Sequence, residues 1–474
     1  MEQMAVPVAG EPATVGSVNP VEVINPYGGD VVGLVPRCGA VEVDRACHAA
    51  AEALARDDFP QHARADVLER AAALLRQRTE QFAETITLES GKPIRTARVE
   101  AARCADTLTF AAVEARTLSG EMLPMDGSAS GTGKVGFALR VPIGVVGAIT
   151  PFNFPLNLVA HKIAPAVAAG CPVVLKPAPQ TPLSGLRLVE LLVEAGLPAD
   201  WISVVTDGGK EAGEPLVAHD VPAMITFTGS AAVGWAIAAA APRKKVALEL
   251  GANSPVVVES DADLDAVASK VRVAGFSHAG QSCISVQRVI IHQAVHEDMV
   301  ERLREAAESL HLGDPRDEAT DVGPLIRPPE ADRIREWIDE AVAGGAELVT
   351  GGSVTDDGIL RPTVVDRAPP DANLCRREVF GPVVVTMPYS DFDEALSLAN
   401  DTAYGLHAGV FTHDLSKALR AARTLQFGGV LINEVPTFRA DQQPYGGVRE
   451  SGNTREGPAY TVKEMTELRF VSFQ

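Results

Sequence analysis

The stretch Val145-Val146-Gly147-Ala148-Ile149-Thr150 indicates the fold class, because a regular alternation of apolar strands and helical segments begins with it. Continuous apolar strands of this kind suit a parallel sheet that helices cover on both faces. Short strand–helix connections are typical of an open, doubly wound α/β fold. The predicted strands span residues 145–150, 173–176, 202–205, 224–227 and 246–250, and the predicted helices lie at 155–169, at 183–195, near 214 and from 230.

A second alternation runs from about residue 255 to 433, with predicted strands at 256–258, 288–292, 383–387, 410–412 and 430–432. Upstream, residues 60–90 have the apolar spacing of one long amphipathic helix that Gly91 ends. A Gly- and Ser-rich stretch at 119–134 and a strand-like tail at 468–474 flank the two units. The tail can add to another subunit's sheet or form a local edge strand, and both alternatives stay open here.

Composition limits the partners of the chain. Its 474 residues exceed what one hydrophobic core usually supports, so we expect two or three structural units. The net charge of −20 argues against nucleic acid and anionic membrane surfaces, which attract clustered Lys and Arg. We expect no secretory signal and no membrane span, since no apolar run approaches about 20 residues. The six cysteines form no CxxC pair, which favours a reducing compartment, with the cytoplasm as the default.

Four short stretches place reactive side chains at predicted strand–helix junctions. Gly280-Gln281-Ser282-Cys283 puts a thiol in a loop after a helix predicted at 264–278. Such a thiol can be exposed and polarised, although a cysteine taken alone is more often a buried, inert one. Leu248-Glu249-Leu250-Gly251 ends an apolar strand with a carboxylate, where partial burial would raise its pKa toward that of a general base. An ion pair or a helix cap is the alternative for that carboxylate.

The other two stretches supply hydrogen-bond donors. Asn153, in Thr150-Pro151-Phe152-Asn153-Phe154-Pro155, offers an amide that can stabilise an oxyanion, or equally cap the following helix. Thr228-Gly229-Ser230-Ala231-Ala232-Val233-Gly234 opens a helix after a strand, which is a weak phosphate-binding signal because it is not GxGxxG. Taken together, the four stretches provide a nucleophile, a base, an oxyanion donor and a phosphate cradle.

Further motifs follow one another along nearly the whole chain. They are Leu88-Glu89-Ser90-Gly91-Lys92-Pro93, Lys176-Pro177-Ala178-Pro179-Gln180-Thr181-Pro182, Glu378-Val379-Phe380-Gly381-Pro382 and Pro444-Tyr445-Gly446-Gly447-Val448-Arg449-Glu450-Ser451-Gly452. With the four stretches above, they resemble the aldehyde dehydrogenases. The resemblance implies an α/β fold of two doubly wound open-sheet domains plus a small β oligomerisation segment, in a homodimer or homotetramer. It implies a dinucleotide-binding domain at 1–117 and 143–250, a catalytic domain at 251–440, and bridging segments at 118–142 and 441–474.

The same resemblance assigns the chemistry. Cys283 is the implied nucleophile, Glu249 the base, and Asn153 with the backbone N–H of Cys283 the oxyanion hole. An aldehyde would be oxidised to the carboxylic acid with NAD or NADP, through a hemithioacetal and a thioester on Cys283 that water activated by Glu249 hydrolyses. Two rivals stay open: a CoA-acylating dehydrogenase, which Glu249 disfavours, and a non-catalytic protein on the same fold.

Cofactor contacts are also implied by the resemblance. Lys176 would hold the adenosine ribose, Ser230 the pyrophosphate, Glu378 the nicotinamide ribose, and Phe380 would pack near the nicotinamide. The complete predicted set is Thr150, Phe152, Lys176, Pro179, Gly209, Gly213, Thr228, Gly229, Ser230, Gly234, Leu250, Glu378 and Phe380.

Three positions depart from the family pattern. Ala252 replaces a second Gly, a change that we expect to be tolerated, and Arg449 replaces a Lys with its charge kept. Pro179 stands where strictly NAD-using relatives often carry a Glu that repels a 2′-phosphate by like charge. We therefore predict that NADP is at least tolerated.

The substrate is less defined by sequence. The C-terminal region resembles the bacterial and archaeal branch that acts on small aldehydes such as lactaldehyde or semialdehydes. Phe154, Ser282 and Ile284 are predicted to line the substrate site, with Phe154 as an apolar wall. Arg439 can meet an anionic tail of the substrate, although an Arg in a surface loop is more often solvated. No clustered ligands indicate a metal, so none is predicted.

Overall fold

A five-stranded parallel sheet forms around the strand Val145–Ile149. In the computed structural model, which describes residues 2–14 and 19–474, its spatial order is Ile202–Val204, Val173–Lys176, Val145–Ile149, Pro222–Thr228 and Lys245–Glu249. Every neighbouring pair is parallel. The chain starts in the middle and adds strands first on one side and then on the other. The carboxyl ends of Val145–Ile149 and Pro222–Thr228 therefore flank the topological switch point, where open sheets bind ligands.

Helices cover this sheet and complete the first core. The connecting helices are Asn157–Ala169, Leu183–Glu194, Gly213–Ala218 and Ala231–Ala240, and the N-terminal helices are Ala40–Arg56, Gln61–Gln77, Thr79–Ser90 and Ile94–Thr117. Every residue of Asn157–Ala169 is buried, because Ile94–Thr117 packs over it on the side away from the sheet. Short strands at Val21–Ile24, Val31–Val35 and Glu2–Gln3 form a small sheet, and Val6–Val8 pairs with Glu11–Ala13.

A seven-stranded sheet forms the second unit, in the order Glu347–Thr350, Thr363–Asp366, Val383–Tyr389, Val286–His292, Ser254–Val258, His407–Phe411 and Gly429–Ile432. Only its edge strand Glu347–Thr350 runs antiparallel. Its helices are Leu264–Phe276, His296–Glu308, Pro328–Ala343, Asn373–Arg376, Phe392–Asn400 and Leu415–Thr424. The predicted α/β fold with two doubly wound sheets is confirmed.

The C-terminal tail forms a local edge strand. After the helix Pro458–Glu464, Thr466–Phe473 pairs antiparallel with Val135–Pro142, which also pairs with Glu121–Leu123. This three-stranded sheet exposes the apolar side chains of Met122, Leu139, Leu468, Phe470 and Phe473. Within the described ranges, every helix is too short or too polar to cross a bilayer.

Two helix predictions are wrong in their bounds. Residues 60–90 form two helices that break at Arg78, because the Thr79 hydroxyl donates to the carbonyls of Leu75 and Arg76 and so closes the first helix. The helix predicted at 264–278 ends at Phe276, because the chain then turns into left-handed backbone. The strands Glu347–Thr350 and Thr363–Asp366 were not predicted.

Candidate active site

The loop that carries Cys283 is held in a strained shape. His278, Ala279 and Gly280 have φ of 50°, 53° and 69°, in the left-handed region that costs a non-Gly residue about 1–2 kcal/mol. A Cβ on Gly280 would lie 2.1 Å from the carbonyl oxygen of Gly381, so only glycine fits there. Phe380, beside Gly381, is also left-handed, with φ of 52°. Packing between two strained loops therefore fixes the position of the thiol.

Asn153 joins the first sheet to this loop. It follows the central strand Val145–Ile149, is buried, and donates from Nδ2 to the carbonyl of Gln281 at 2.9 Å. The side chain of Gln281 is held in turn by the carbonyl of His278 and the N–H of Ile326. The amide predicted as an oxyanion donor thus contacts the loop two residues before Cys283. One of the two hydrogens on Nδ2 of Asn153 is used in this contact.

The sulfur of Cys283 lies in an apolar surround with one polar contact. Cys283 packs against the buried cluster Ala252, Ile284, Leu406 and Tyr445. Its Sγ lies 2.9 Å from the hydroxyl of Tyr445. Burial raises the pKa of the Cys283 thiol to about 12, while the Tyr445 contact lowers it. A thiolate here therefore depends on its few polar neighbours.

Glu249 ends the edge strand of the first sheet as a buried carboxylate without partners. Neither oxygen finds a hydrogen-bond donor among residues 2–14 and 19–474. Burial, followed by the negative charge of Glu456, raises the pKa of Glu249 well above its ordinary value, and Lys162 opposes this shift. The carboxylate of Glu249 forms no ion pair and no hydrogen bond with the described residues, so the sequence alternatives of an ion pair or a cap are wrong, and the raised pKa is the direction expected of a general base.

Glu456 is the charged counterpart of Glu249. Burial works to raise the pKa of Glu456, but His161, Arg439 and Lys162 together lower it to about 2. Arg439 lies 2.6 Å from Glu456 and Lys162 lies 3.8 Å from it. Arg439 is not solvated in a surface loop: its side chain is only 8% exposed, and the centre of its guanidinium lies 3.9 Å from the centre of the Tyr445 ring. The solvated reading of Arg439 fails because the C-terminal segment folds back over the site.

Lys176, the last residue of the strand Val173–Lys176, forms an ion pair that the sequence did not indicate. Its Nζ lies 2.8 Å from Oδ1 of Asp207, whose other oxygen accepts from the backbone N–H groups of Ala212 and Gly213. Gly213 lies against the Lys176 side chain, since a Cβ there would be 3.4 Å from Lys176 Cε. Gly209 lies nearby in sequence but is exposed.

The predicted phosphate cradle follows the strand Pro222–Thr228. Ser230 precedes the helix Ala231–Ala240 and is exposed, and the N–H of Gly229 donates to the carbonyl of Glu249 at 3.1 Å. Leu250 packs directly on Gly234, where a Cβ would lie 2.4 Å from Leu250 Cδ2. The predicted stretch and the strand of Glu249 thus lie side by side.

The buried hydroxyls of Thr150 and Thr228 have no hydrogen-bond partner in the described residues. Both lie at the carboxyl ends of adjacent central strands. Buried polar groups usually have a partner, so two open hydroxyls at the switch point fit a polar ligand.

Glu378 and the aromatic residues form the third predicted group. Glu378 accepts from the N–H of Ala252 at 3.1 Å, and burial raises its pKa to about 7. The rings of Phe380 and Phe152 meet edge to face at 5.8 Å. These residues link the strained loop at Phe380 to the stretch that carries Asn153.

Whereas Phe152 precedes Asn153 in the chain, Phe154 follows it. The ammonium of Lys92 sits 3.7 Å above its ring, and His278 lies 6.4 Å away. Ser282 and Ile284 flank Cys283 in the chain, Ser282 half-buried and Ile284 buried. Pro179 lies half-buried in the turn after Lys176.

Comparison with known proteins shows the family to which the chain belongs. The model of the aldehyde dehydrogenase family matches residues 14–471. The chain belongs to the aldehyde dehydrogenase family. Its expected family and enzyme class are therefore confirmed.

Named relatives of this aldehyde dehydrogenase are similar over nearly their full length. A 3-sulfolactaldehyde dehydrogenase of Priestia aryabhattai is 45% identical over 450 residues, covering 95% of this chain and 94% of the relative. Aldehyde dehydrogenase 21 of Physcomitrella patens, solved with its product succinate, is 41% identical with a TM-score of 0.96 over 100% of this chain and 98% of that one. A glyceraldehyde-3-phosphate dehydrogenase of Methanocaldococcus jannaschii, solved with NADP, is 36% identical with a TM-score of 0.92, covering 97% and 100%.

Four residues that surround the candidate site of this aldehyde dehydrogenase were not predicted from its sequence: Lys162, Asp207, Tyr445 and Glu456. Tyr445 lay inside a quoted motif, and Asp207 follows a predicted strand at the ligand-binding edge, so position was an available signal for both. Lys162 lies in a mostly apolar helix segment, where an ammonium needs a buried partner. Nothing local in the sequence indicated Glu456.

One group of possible metal ligands occurs among the described residues, on the surface at Asp44, His48 and His219. Nδ1 of His219 accepts the N–H of Val221 at 3.2 Å, so Nε2 carries the proton and faces Asp44. A protonated nitrogen cannot ligate a metal. The absence of a metal stays a prediction.

Proposed function

We propose that this aldehyde dehydrogenase oxidises a small aldehyde to the carboxylic acid with NAD or NADP through a thioester on Cys283. The observation that carries the proposal is the hydrogen bond between Asn153 and the Cys283 loop, which joins the ligand-binding edge of the first sheet to the thiol. The buried Glu249 without partners supplies a proton acceptor at the same edge.

The chain's own residues would act in sequence. The Cys283 thiolate adds to the aldehyde carbon, and the new oxyanion is stabilised by the free hydrogen of Asn153 and the backbone N–H of Cys283. Glu378 and Phe380 would hold the nicotinamide of a bound cofactor, whose chemistry is to accept the hydride of the hemithioacetal carbon, so that a thioester would remain on Cys283. Ionised Glu249 then takes a proton from water, the hydroxide displaces sulfur, and the carboxylate and free thiolate are released.

The charge arrangement supports hydrolysis in this proposal. Glu249 is kept neutral more readily than an ordinary carboxyl, whereas Glu456 stays ionised beside Arg439 and Lys162. The carboxyl of Glu249 thus lies in the field of an ionised Glu456, which favours its protonated form, and of Lys162, which favours its ionised form. Hydrolysis by water, not transfer to CoA, is the proposed fate of the thioester.

Cofactor binding is proposed at the switch point. The dinucleotide would be held by Lys176, Gly213, Ser230 and the open hydroxyls of Thr150 and Thr228. Glu378 and Phe380 would contact its nicotinamide end. The other proposed contacts are those predicted from the sequence, namely Phe152, Pro179, Gly209, Gly229, Gly234 and Leu250. Asp207 does not replace the carboxylate missing at Pro179, because Lys176 and backbone N–H groups already engage both of its oxygens. We therefore propose that NADP is accepted as well as NAD.

A small aldehyde with an anionic or hydroxylated tail is the proposed substrate. The buried Nε of Arg439 has no partner in the described residues, so this guanidinium can still donate to an acceptor near Tyr445 and Cys283. Phe154, Ser282 and Ile284 would form the remaining walls. The names of the relatives, which act on sulfolactaldehyde or carry succinate, fit such a tail.

The proposal extends to the subunit contact and the cellular compartment of the protein. The exposed apolar residues of the three-stranded sheet make segments 118–142 and 441–474 the proposed contact between subunits of a homodimer or homotetramer. The division at 1–117 and 143–250 against 251–440 stays a prediction, and Met1 and 15–18 lie outside the described residues. All six cysteines are free, which fits the cytoplasm that the sequence favours.

The test is a panel of aldehydes assayed for NADH and NADPH formation, with and without CoA. We expect turnover of lactaldehyde, sulfolactaldehyde or succinic semialdehyde without CoA, and none by Cys283→Ser. Turnover by Cys283→Ser equal to that of the parent would refute the thioester route, and a strict need for CoA would refute hydrolysis.

A further inference from the structure

Tyr445 holds a fixed contact with the sulfur of Cys283 to which the proposed function gives no role. Its hydroxyl lies 2.9 Å from Sγ. The backbone N–H of Tyr445 donates to the carbonyl of Glu456 at 2.9 Å, and its ring lies between the guanidinium of Arg439 at 3.9 Å and the ring of His407 at 5.0 Å. The phenol is thus buried and held by its backbone and by both ring neighbours, so the sulfur contact is built into the fold.

The protonation state of the sulfur decides the direction of this hydrogen bond. When Cys283 is a thiol, either atom can donate; a thiolate has no proton, so the Tyr445 hydroxyl must then donate. Hydrogen bonds to an ionised acceptor are roughly twice as strong as neutral ones. The contact therefore stabilises the thiolate more than the thiol.

The other groups that face this pair divide by charge. Glu378 and Glu249 disfavour a thiolate, and Arg439 favours it. His407 is neutral near pH 7, because burial lowers its pKa to about 4. Burial also raises the pKa of Tyr445 well above 10, so the phenol keeps its proton and acts as a donor, not as the base. Tyr445 and Arg439 are thus the two groups in this surround that support the nucleophile.

We propose that Tyr445 is a positioning residue that activates the nucleophile: its hydroxyl donates to the Cys283 thiolate, and the Arg439 guanidinium on its ring supports the negative charge. This inference rests on the proposed function, since it requires that Cys283 is the attacking group. It assigns to the Tyr of the Pro444–Gly446 stretch a part that a phenylalanine at the same place could not perform.

The first test measures the rate at which iodoacetamide alkylates Cys283, followed by mass spectrometry over a pH series, in the full-length enzyme. We expect Tyr445→Phe to raise the midpoint of the alkylation profile by about one pH unit, and so to lower the rate below that midpoint about tenfold. A change in access alone would lower the plateau without moving the midpoint. Tyr404→Phe is the matched control, because Tyr404 packs against the same apolar cluster, and we expect its midpoint to stay at the parent value.

A second measurement avoids truncation of the side chain. Replacement of the tyrosines by 3-fluorotyrosine makes the phenol more acidic and a stronger donor, so the midpoint of the parent should fall, while that of Tyr445→Phe should not move. An unchanged midpoint both in Tyr445→Phe and in the fluorinated parent would overturn the inference. If Cys283→Ser kept its activity, the proposed function itself would fail; if Cys283→Ser is inactive but the midpoint is unmoved, only the role of Tyr445 fails.

Discussion

Two buried carboxylates in the same half of the molecule have opposite surroundings. Glu89 lies at the end of the helix Thr79–Ser90, and its two oxygens accept the N–H groups of Leu183 and Ser184 at 2.7 and 2.9 Å. Glu249 lies at the ligand-binding edge and accepts nothing within the described ranges. Burial raises the pKa of both, but that of Glu89 only to about 7, since its hydrogen bonds lower it, whereas that of Glu249 rises well above its ordinary value.

The difference gives Glu89 a structural role and leaves Glu249 free for a chemical one. The carboxylate of Glu89 accepts the buried N–H groups at the start of the helix Leu183–Glu194, which have no partner within the helix, so its oxygens are not available to a ligand. The oxygens of Glu249 are desolvated without compensation, which destabilises the folded protein and leaves them free to take a proton from water. An unsatisfied carboxylate at a ligand-binding edge is therefore the stronger functional signal.

The largest effect should come from Glu249→Gln. Because the amide cannot accept a proton from water, we expect steady turnover to fall about 10²–10⁴-fold, the range typical of a lost general base. Thioester formation should persist, so rapid mixing should show one burst of NADH or NADPH per Cys283 followed by slow release. Parent-like turnover, or loss of the burst as well, would contradict the assigned role of Glu249.

Glu89→Ala should instead affect stability. It leaves two buried N–H groups without acceptors, and we expect a loss of about 2–4 kcal/mol in the free energy of unfolding. Glu89→Gln keeps one acceptor oxygen and should lose less. Denaturant unfolding and activity per folded molecule separate the two effects, and a Glu89→Ala variant as stable as the parent would remove the comparison.

The sequence was sufficient to predict Glu249 as a site residue, but not to predict the structural role of Glu89. Strand ends and residue types near them are local, so Cys283, Glu249 and Asn153 could be singled out from spacing and resemblance. The partners were not predictable, because Glu89 meets residues more than ninety positions away and Tyr445 reaches Cys283 across two loops. The helix break at Arg78 was missed since it depends on a side-chain hydrogen bond of Thr79, not on apolar spacing.

A smaller effect is expected in the pH dependence of stability. A carboxyl whose folded pKa is raised contributes stability below its ordinary pKa and loses it as the pH rises toward the folded value. The Glu249→Gln substitution removes this loss of stability, because the amide does not ionise. The variant should gain stability over the parent as the pH rises above the ordinary carboxyl range, by at most about 1.4 kcal/mol per pH unit. Calorimetric Tm values of both proteins over a pH series check the sign, and a gap that shrinks with rising pH would be the wrong sign.

The smallest effect tests whether the comparison extends to a carboxylate placed by design. Asp207 forms an ion pair with Lys176 and accepts the N–H of Ala212, and so should not screen the cofactor, whereas Pro179→Glu would place a carboxylate in the half-buried turn after Lys176. Like-charge repulsion of the 2′-phosphate should lower kcat/KM for NADP about tenfold and leave that for NAD nearly unchanged. Pro179→Gln is the matched control, since it has the same shape without the charge. Saturation kinetics with both cofactors measure the ratio. A parent enzyme that does not use NADP would contradict this expectation, because a carboxylate with both oxygens engaged, such as that of Asp207, could then still exclude the 2′-phosphate.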